Sequence, residues 1–125
     1  MTEYYFAPLE GITGCLFRQV HHRHFPQMDR YFMPFLVPHE KRTFNGKELR
    51  EMDPENNKGI WVIPQIMTNK AEDFISTARK LQNRGYEEVN LNLGCPSKTV
   101  VSKGRGSGFL AYPEQLDAFL DQIFQ

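Results

Sequence analysis

Apolar positions along the chain follow two alternating rhythms. Residues 4–7, 31–37, 61–67 and 89–93 form short runs that are apolar or alternate with period two, the pattern of β-strands. Between and after them, apolar residues recur at helical spacing. Leu16, Phe17 and Val20 mark one helix; Phe74, Ile75, Ala78 and Leu81 mark a second; Leu116, Phe119, Leu120 and Ile123 mark the last. Local chemistry sets the expected boundaries. Thr13 is placed to cap the first helix. Asn69, with Glu72 three residues later, has capping-box spacing for the second, and Gly85 ends it. Pro113 opens the last. Pro8 stops the first strand, while Pro34 and Pro64 interrupt the second and third. Residues 38–59 are polar, with Asn45-Gly46 and Asp53-Pro54 as turn signals, and read as a long loop with one helical turn near residues 47–52.

Strands alternating with amphipathic helices predict parallel β-α units, hence an α/β fold. Two architectures carry that order. One is half of a TIM (β/α)8 barrel, about four parallel strands with outer helices; a whole barrel needs about 250 residues. The other is a small doubly wound sheet. The 125 residues suffice for one core. Fifteen basic residues balance fifteen acidic ones, which excludes a wholly basic nucleic-acid-binding surface and leaves room only for a local patch. Ten phenylalanines argue against disorder. No run approaches the roughly 18 apolar residues of a membrane span, and the N-terminus lacks a signal-peptide pattern. The two cysteines, Cys15 and Cys95, are far apart in sequence and make no disulfide framework. A cytoplasmic, non-membrane protein is therefore expected.

The fourth strand and the loop after it, VNLNLGCPSKTVVSKGRGSG at residues 89–108, concentrate the chemistry. Val89, Leu91 and Leu93 share one face of the strand; Asn90 and Asn92 share the other. Two amides on one face need partners: a polar planar ligand, each other, neighbouring backbone or water. Cys95 ends the strand, where β/α enzymes keep their chemistry. A thiol at its ordinary pKa of about 8.5 is a proton donor at neutral pH; lowered by cations it is a nucleophile; buried, it is a small hydrophobe. Lys98, Lys103 and Arg105, among glycines, can approach a polyanion or form a solvated loop. The GRGSG run is neither a Walker loop nor a dinucleotide fingerprint.

Three segments resemble the tRNA-dihydrouridine synthase family: APLEGITGCLFR at residues 7–18, Gln65 within IPQIM at 63–67, and NLGCPSKTVVSKGRGSGFL at 92–110. The resemblance implies that residues 1–125 are the N-terminal half of an FMN-binding barrel, with a second half-barrel and a helical C-terminal domain outside this chain. It further implies an enzyme using FMN, reduced by NADPH, to convert uridine in tRNA to 5,6-dihydrouridine. Cys95 would be the catalytic proton donor. Pro8, Leu9 and Gln65 would contact the cofactor. Asn92 would orient the target base, and Lys98, Lys103 and Arg105 would meet the RNA backbone. Leu9 departs from the usual Met, and Gly14 stands where an acidic or amide residue is common. The lysine and histidine that the family's second half places near the flavin have no counterpart in this chain.

Two alternative functions are compatible with the same residues: another FMN barrel acting on a pyrimidine, dihydroorotate dehydrogenase-like, and a non-catalytic RNA-binding half-barrel. An open half-barrel has unpaired strand edges, so either self-association or marginal stability is expected. His21 and His24 have the spacing of two metal ligands but lack a third, and read as a solvated helix end; no metal site is expected. Residues 40–42 (EKR) and the acidic residues from Glu48 to Glu55 read as a solvated loop, and Cys15 as packing.

Overall fold

The computed structural model describes residues 1–39 and 43–125, so the charge run at 40–42 lies outside the described residues. It has an α/β fold of two small parallel sheets and, among the described residues, five helices. Tyr5–Phe6 (β1), Arg30–Phe32 (β2) and Val62–Ile63 (β3) form one sheet, in that order. Gln65–Ile66 (β4) and Asn90–Leu91 (β5) form the other. Register is in step throughout: Tyr5 pairs with Arg30, Tyr31 with Val62, and Gln65 with Asn90.

The two sheets meet at Pro64, between β3 and β4. Proline has no N–H to donate, so the third predicted run splits there. The Pro64 carbonyl still accepts from the Asn90 amide at 2.9 Å. Leu36 bridges to Ile66 in parallel, continuing the β2 side past the break. All four predicted strand runs thus hold strand structure, each shorter than the apolar pattern suggested, and in sequential order.

The helices are Cys15–His24 (α1), Gly46–Met52 (α2), Ala71–Gln82 (α3), Lys98–Val101 (α4) and Pro113–Ile123 (α5). Helix α2 is longer than the single turn expected; Asn45 and Glu48 close a reciprocal capping box at its start. The core joins Tyr31, Met33, Leu36, Ile66, Leu81 and Phe109. Phe119 of α5 packs edge-on against Phe74 of α3 and against Phe109, with ring centroids 5.8 and 5.3 Å apart. Val89, Leu91 and Leu93 pack on this core, as the alternation predicted. Near the start of the strands, the Arg30 guanidinium lies between the Trp61 and Tyr5 rings, 4.1 and 5.0 Å from their centroids. Both rings remain exposed.

Several local expectations are corrected. Thr13 does not cap α1: its hydroxyl accepts from the Leu9 amide at 2.8 Å. Asn69 does not cap α3, whose N-cap is Lys70, with no capping side-chain hydrogen bond; the Asn69 amide instead donates to the Lys103 carbonyl at 2.9 Å. The apolar face of α1 is exposed, Leu16 at 73%, whereas Arg18 is fully buried. Arg18 is tolerated inside because its fork meets several acceptors at once. It donates to the carbonyls of Thr13 and Glu51 and to Asn57 Oδ1, and lies 3.3 Å from the Glu51 carboxylate. Burial lowers the Arg18 pKa, and Glu51 opposes that shift. The stretch from Glu48 to Glu55 is consequently not solvated throughout: Glu51 is largely enclosed, while Asp53 and Glu55 are exposed as expected. Nor is His21 a solvated helix end: its Nδ1 lies 2.7 Å from the Tyr31 hydroxyl, and its ring stacks on Phe25.

Candidate functional site

The site forms where β4 and β5 end side by side. Their register places Gln65 beside Asn90, and the three amides bind one another. Gln65 Nε2 donates to Asn90 Oδ1 at 2.8 Å; Asn92 Nδ2 donates to Gln65 Oε1 at 2.9 Å. Of the partners open to these amides, the structure gives each other and backbone. Asn92 Oδ1 then accepts from the Gly94 and Cys95 amides at 3.1 and 3.0 Å. The side chain of Asn92 thus ties Gln65, 8% exposed, to the backbone of Cys95. Gln65 and Asn92 each carry a second N–H beyond the one committed here.

Cys95 is held from its other side as well. Its carbonyl accepts from both the Ser107 amide, at 3.0 Å, and the Ser107 hydroxyl, at 2.9 Å. Gly106 makes that approach possible. It has φ +55°, and a Cβ there would lie 2.8 Å from the Cys95 carbonyl oxygen and 3.0 Å from the Cys95 Cβ. At this position the glycine lets loop backbone close on the cysteine, a role different from clearing space for a polyanion. The 94–108 stretch is correspondingly structured. It contains α4 and leads into a 3-10 segment, Gly106–Ala111. Asn69 fastens its middle at Lys103.

Cys95 opens onto a cleft of about 1020 Å³. Lys103 and Arg105 line it too, as do Met33, Met67 and Cys15. Arg105 Nε is buried without a hydrogen-bond partner. Of the predicted site residues, the structure brings Cys95, Lys103 and Arg105 to the cleft; Asn92 is hydrogen-bonded to Gln65 and to the Cys95 backbone, and neither of these two amides lines the cleft. Pro8, Leu9 and Lys98 do not line it, although the turn after Leu9 forms one wall through Glu10, Gly11 and Ile12. Sequence reasoning missed Ser107, Arg18 and Glu51. Ser107 had a faint signal, being the hydroxyl within GRGSG. Arg18 and Glu51, 33 residues apart by their backbone contact, had none beyond the Phe-Arg ending of the first motif. Among the described residues no group of three or more His, Cys, Asp or Glu can hold a metal ion, and no helix is long and apolar enough to cross a membrane.

A parallel α/β sheet with a cysteine pinned at a strand end, amides beside it and cations at the rim defines the class: a β/α protein with a strand-end site. The family follows from comparison. Residues 5–124 match the model of the dihydrouridine synthase family, and the chain belongs to that family. It is 28% identical over 119 residues to a probable tRNA-dihydrouridine synthase 1 of Synechocystis sp., covering 94% of this chain and 32% of that protein. It is 28% identical over 114 residues to a probable tRNA-dihydrouridine synthase of Staphylococcus aureus (strain COL), covering 86% and 33%. A Staphylococcus epidermidis relative of the same description is 30% identical over 114 residues, with the same coverage. The chain spans about a third of the length of these curated relatives.

Proposed function

We propose that this chain is the cysteine-bearing, flavin-contacting part of a tRNA-dihydrouridine synthase, and that its sheet is an arc of a TIM barrel with a second half-barrel and a helical domain to follow. The observation that carries this reading is the hydrogen-bonded series Gln65–Asn92–Cys95 at adjacent parallel strand ends, opening onto a cleft with Lys103 and Arg105, in a chain of this family.

The residues present fit a flavin. Side-chain amides of Gln65, Asn90 and Asn92 offer donors and acceptors together, the complement of a planar ring with an imide edge. Pro8, Leu9 and Gln65 would hold FMN. When bound and reduced by NADPH, it supplies the hydride that C6 of a uracil requires. The chain's own residues do the rest. Cys95 holds a proton at Sγ for C5 of the base, and its backbone is clamped on both sides, so the donor has a fixed place. Asn92 orients the base through its remaining N–H. Lys98, Lys103 and Arg105 receive the RNA backbone. The uridine leaves its stack to reach the cleft, at a cost of a few kcal/mol.

Titrating the chain with FMN, followed by absorbance and fluorescence, tests the cofactor assignment. Saturable binding that weakens in Gln65→Ala is expected. Binding indifferent to that substitution would overturn the role of Gln65.

A further inference from the structure

Helix α1 begins without the usual capping side chain. Its N-cap is Gly14, and no acidic residue occupies its first turn. Exposed N–H groups at a helix start need an acceptor. A distant residue supplies one: Glu51 Oε2, on α2, accepts from the Cys15 amide at 2.6 Å. Gly14 leaves the space for it, since a Cβ there would lie 3.0 Å from Glu51 Oε1.

The same carboxylate oxygen lies 3.3 Å from Arg18 Nη1, which donates to the Thr13 carbonyl at 3.0 Å. The turn before α1 closes on itself. Ile12 and Thr13 both donate to the Leu9 carbonyl, and the Thr13 hydroxyl accepts from the Leu9 amide. One carboxylate therefore caps α1, balances the buried guanidinium and, through it, holds the end of the turn that leaves β1. We infer that Glu51 is the positioning residue for the turn at residues 9–13, acting in trans as the cap that Gly14 cannot supply. In relating that turn to a ligand, the inference rests on the reading of Pro8 and Leu9 as flavin contacts.

The test uses four variants of the full chain: Glu51→Ala, Glu51→Gln, Gly14→Asp and the double variant Glu51→Ala/Gly14→Asp. Hydrogen exchange at the Cys15 amide and across residues 9–14 is read beside the FMN affinity. Glu51→Ala is expected to speed exchange at Cys15 about tenfold, the scale of a lost cap, and to weaken FMN by a similar factor. Glu51→Gln keeps an acceptor and retains most of the protection. Gly14→Asp crowds a second carboxylate against Glu51 and loosens the turn in the wild-type background, but restores protection in the Glu51→Ala background. That reversal of sign is not expected of a residue that merely adds stability. Should Glu51→Ala not fold, Gly14→Asp in the wild-type background decides the matter: faster Cys15 exchange supports the inference and unchanged exchange overturns it. Unchanged Cys15 exchange in Glu51→Ala, or a Gly14→Asp effect equal in both backgrounds, overturns the inference. Failure of the wild-type chain to bind FMN would count against the flavin reading of the turn, while the exchange results still decide the role of Glu51.

Discussion

Replacing Gly106 with alanine tests whether the glycines after Cys95 serve the loop's own packing. Gly106 sits at φ +55°, and its new Cβ would meet the Cys95 carbonyl oxygen at 2.8 Å, Val100 Cγ1 at 2.9 Å and the Cys95 Cβ at 3.0 Å. Left-handed backbone costs an alanine about 1–2 kcal/mol. Forcing a methyl into filled space costs about 1–3 kcal/mol more. The stiffer unfolded chain returns about 0.4–1 kcal/mol. The net expectation is destabilisation by about 2–4 kcal/mol, a large share of the roughly 5–15 kcal/mol of an ordinary domain. Urea denaturation reads this as a midpoint lowered by about 1–2 M. Gly46 is the control. It opens α2, a methyl added there would have nothing within 4 Å, and alanine is expected to be neutral or slightly stabilising. A Gly106→Ala cost below about 0.5 kcal/mol, or one equal to that of Gly46→Ala, would refute the packing argument and return the glycine to a purely ligand-facing role.

Other outcomes follow from the corrected contacts. Arg18→Met leaves the enclosed Glu51 carboxylate without its cation and is expected to cost about 3–5 kcal/mol in denaturant titrations; Arg18→Lys recovers only part, lacking the planar fork. Asn69→Ala loses a hydrogen bond worth about 1 kcal/mol, and amide exchange should quicken near residues 103–106 while helix content by circular dichroism stays constant. A loss of α3 helicity instead would restore Asn69 as its cap. Burial raises the pKa of Tyr86 and of Tyr31. Their neutral forms are favoured in the folded chain, so stability is intact below the ordinary tyrosine pKa of about 10 and falls as pH rises above it. Tyr86→Phe should make that alkaline decline shallower; an unchanged slope contradicts the assignment.

Much of the fold is legible in the sequence because strand and helix periodicities act over a few residues. Val89, Leu91 and Leu93 alternate onto the core as their spacing predicts, and Pro113 opens α5 where its fixed φ suits a first helical turn. What is not legible is decided by partners far along the chain. Thr13 and Asn69 have sound capping chemistry, yet each bonds elsewhere: Thr13 to its own turn, Asn69 to Lys103, 34 residues on. Leu16, Phe17 and Val20 make a helical apolar face, yet all three stay exposed, although Phe17 meets the Phe6 ring of β1. Arg18 takes the interior because distant acceptors, Glu51 and Asn57, surround its guanidinium. At the site, Cys95, Gln65 and Asn92 are recognisable from motif residues. The clamp by Ser107 depends on how the loop turns back after Gly104, which no local spacing encodes.

The central claim is that Cys95 delivers a proton to a flavin-reduced uracil in tRNA. The most direct measurement is the dihydrouridine content of tRNA, by mass spectrometry, in cells where the protein carrying this chain is the only synthase, comparing wild type with Cys95→Ala. The account predicts that dihydrouridine is lost while FMN is retained by the purified variant. Normal dihydrouridine levels in Cys95→Ala would contradict it.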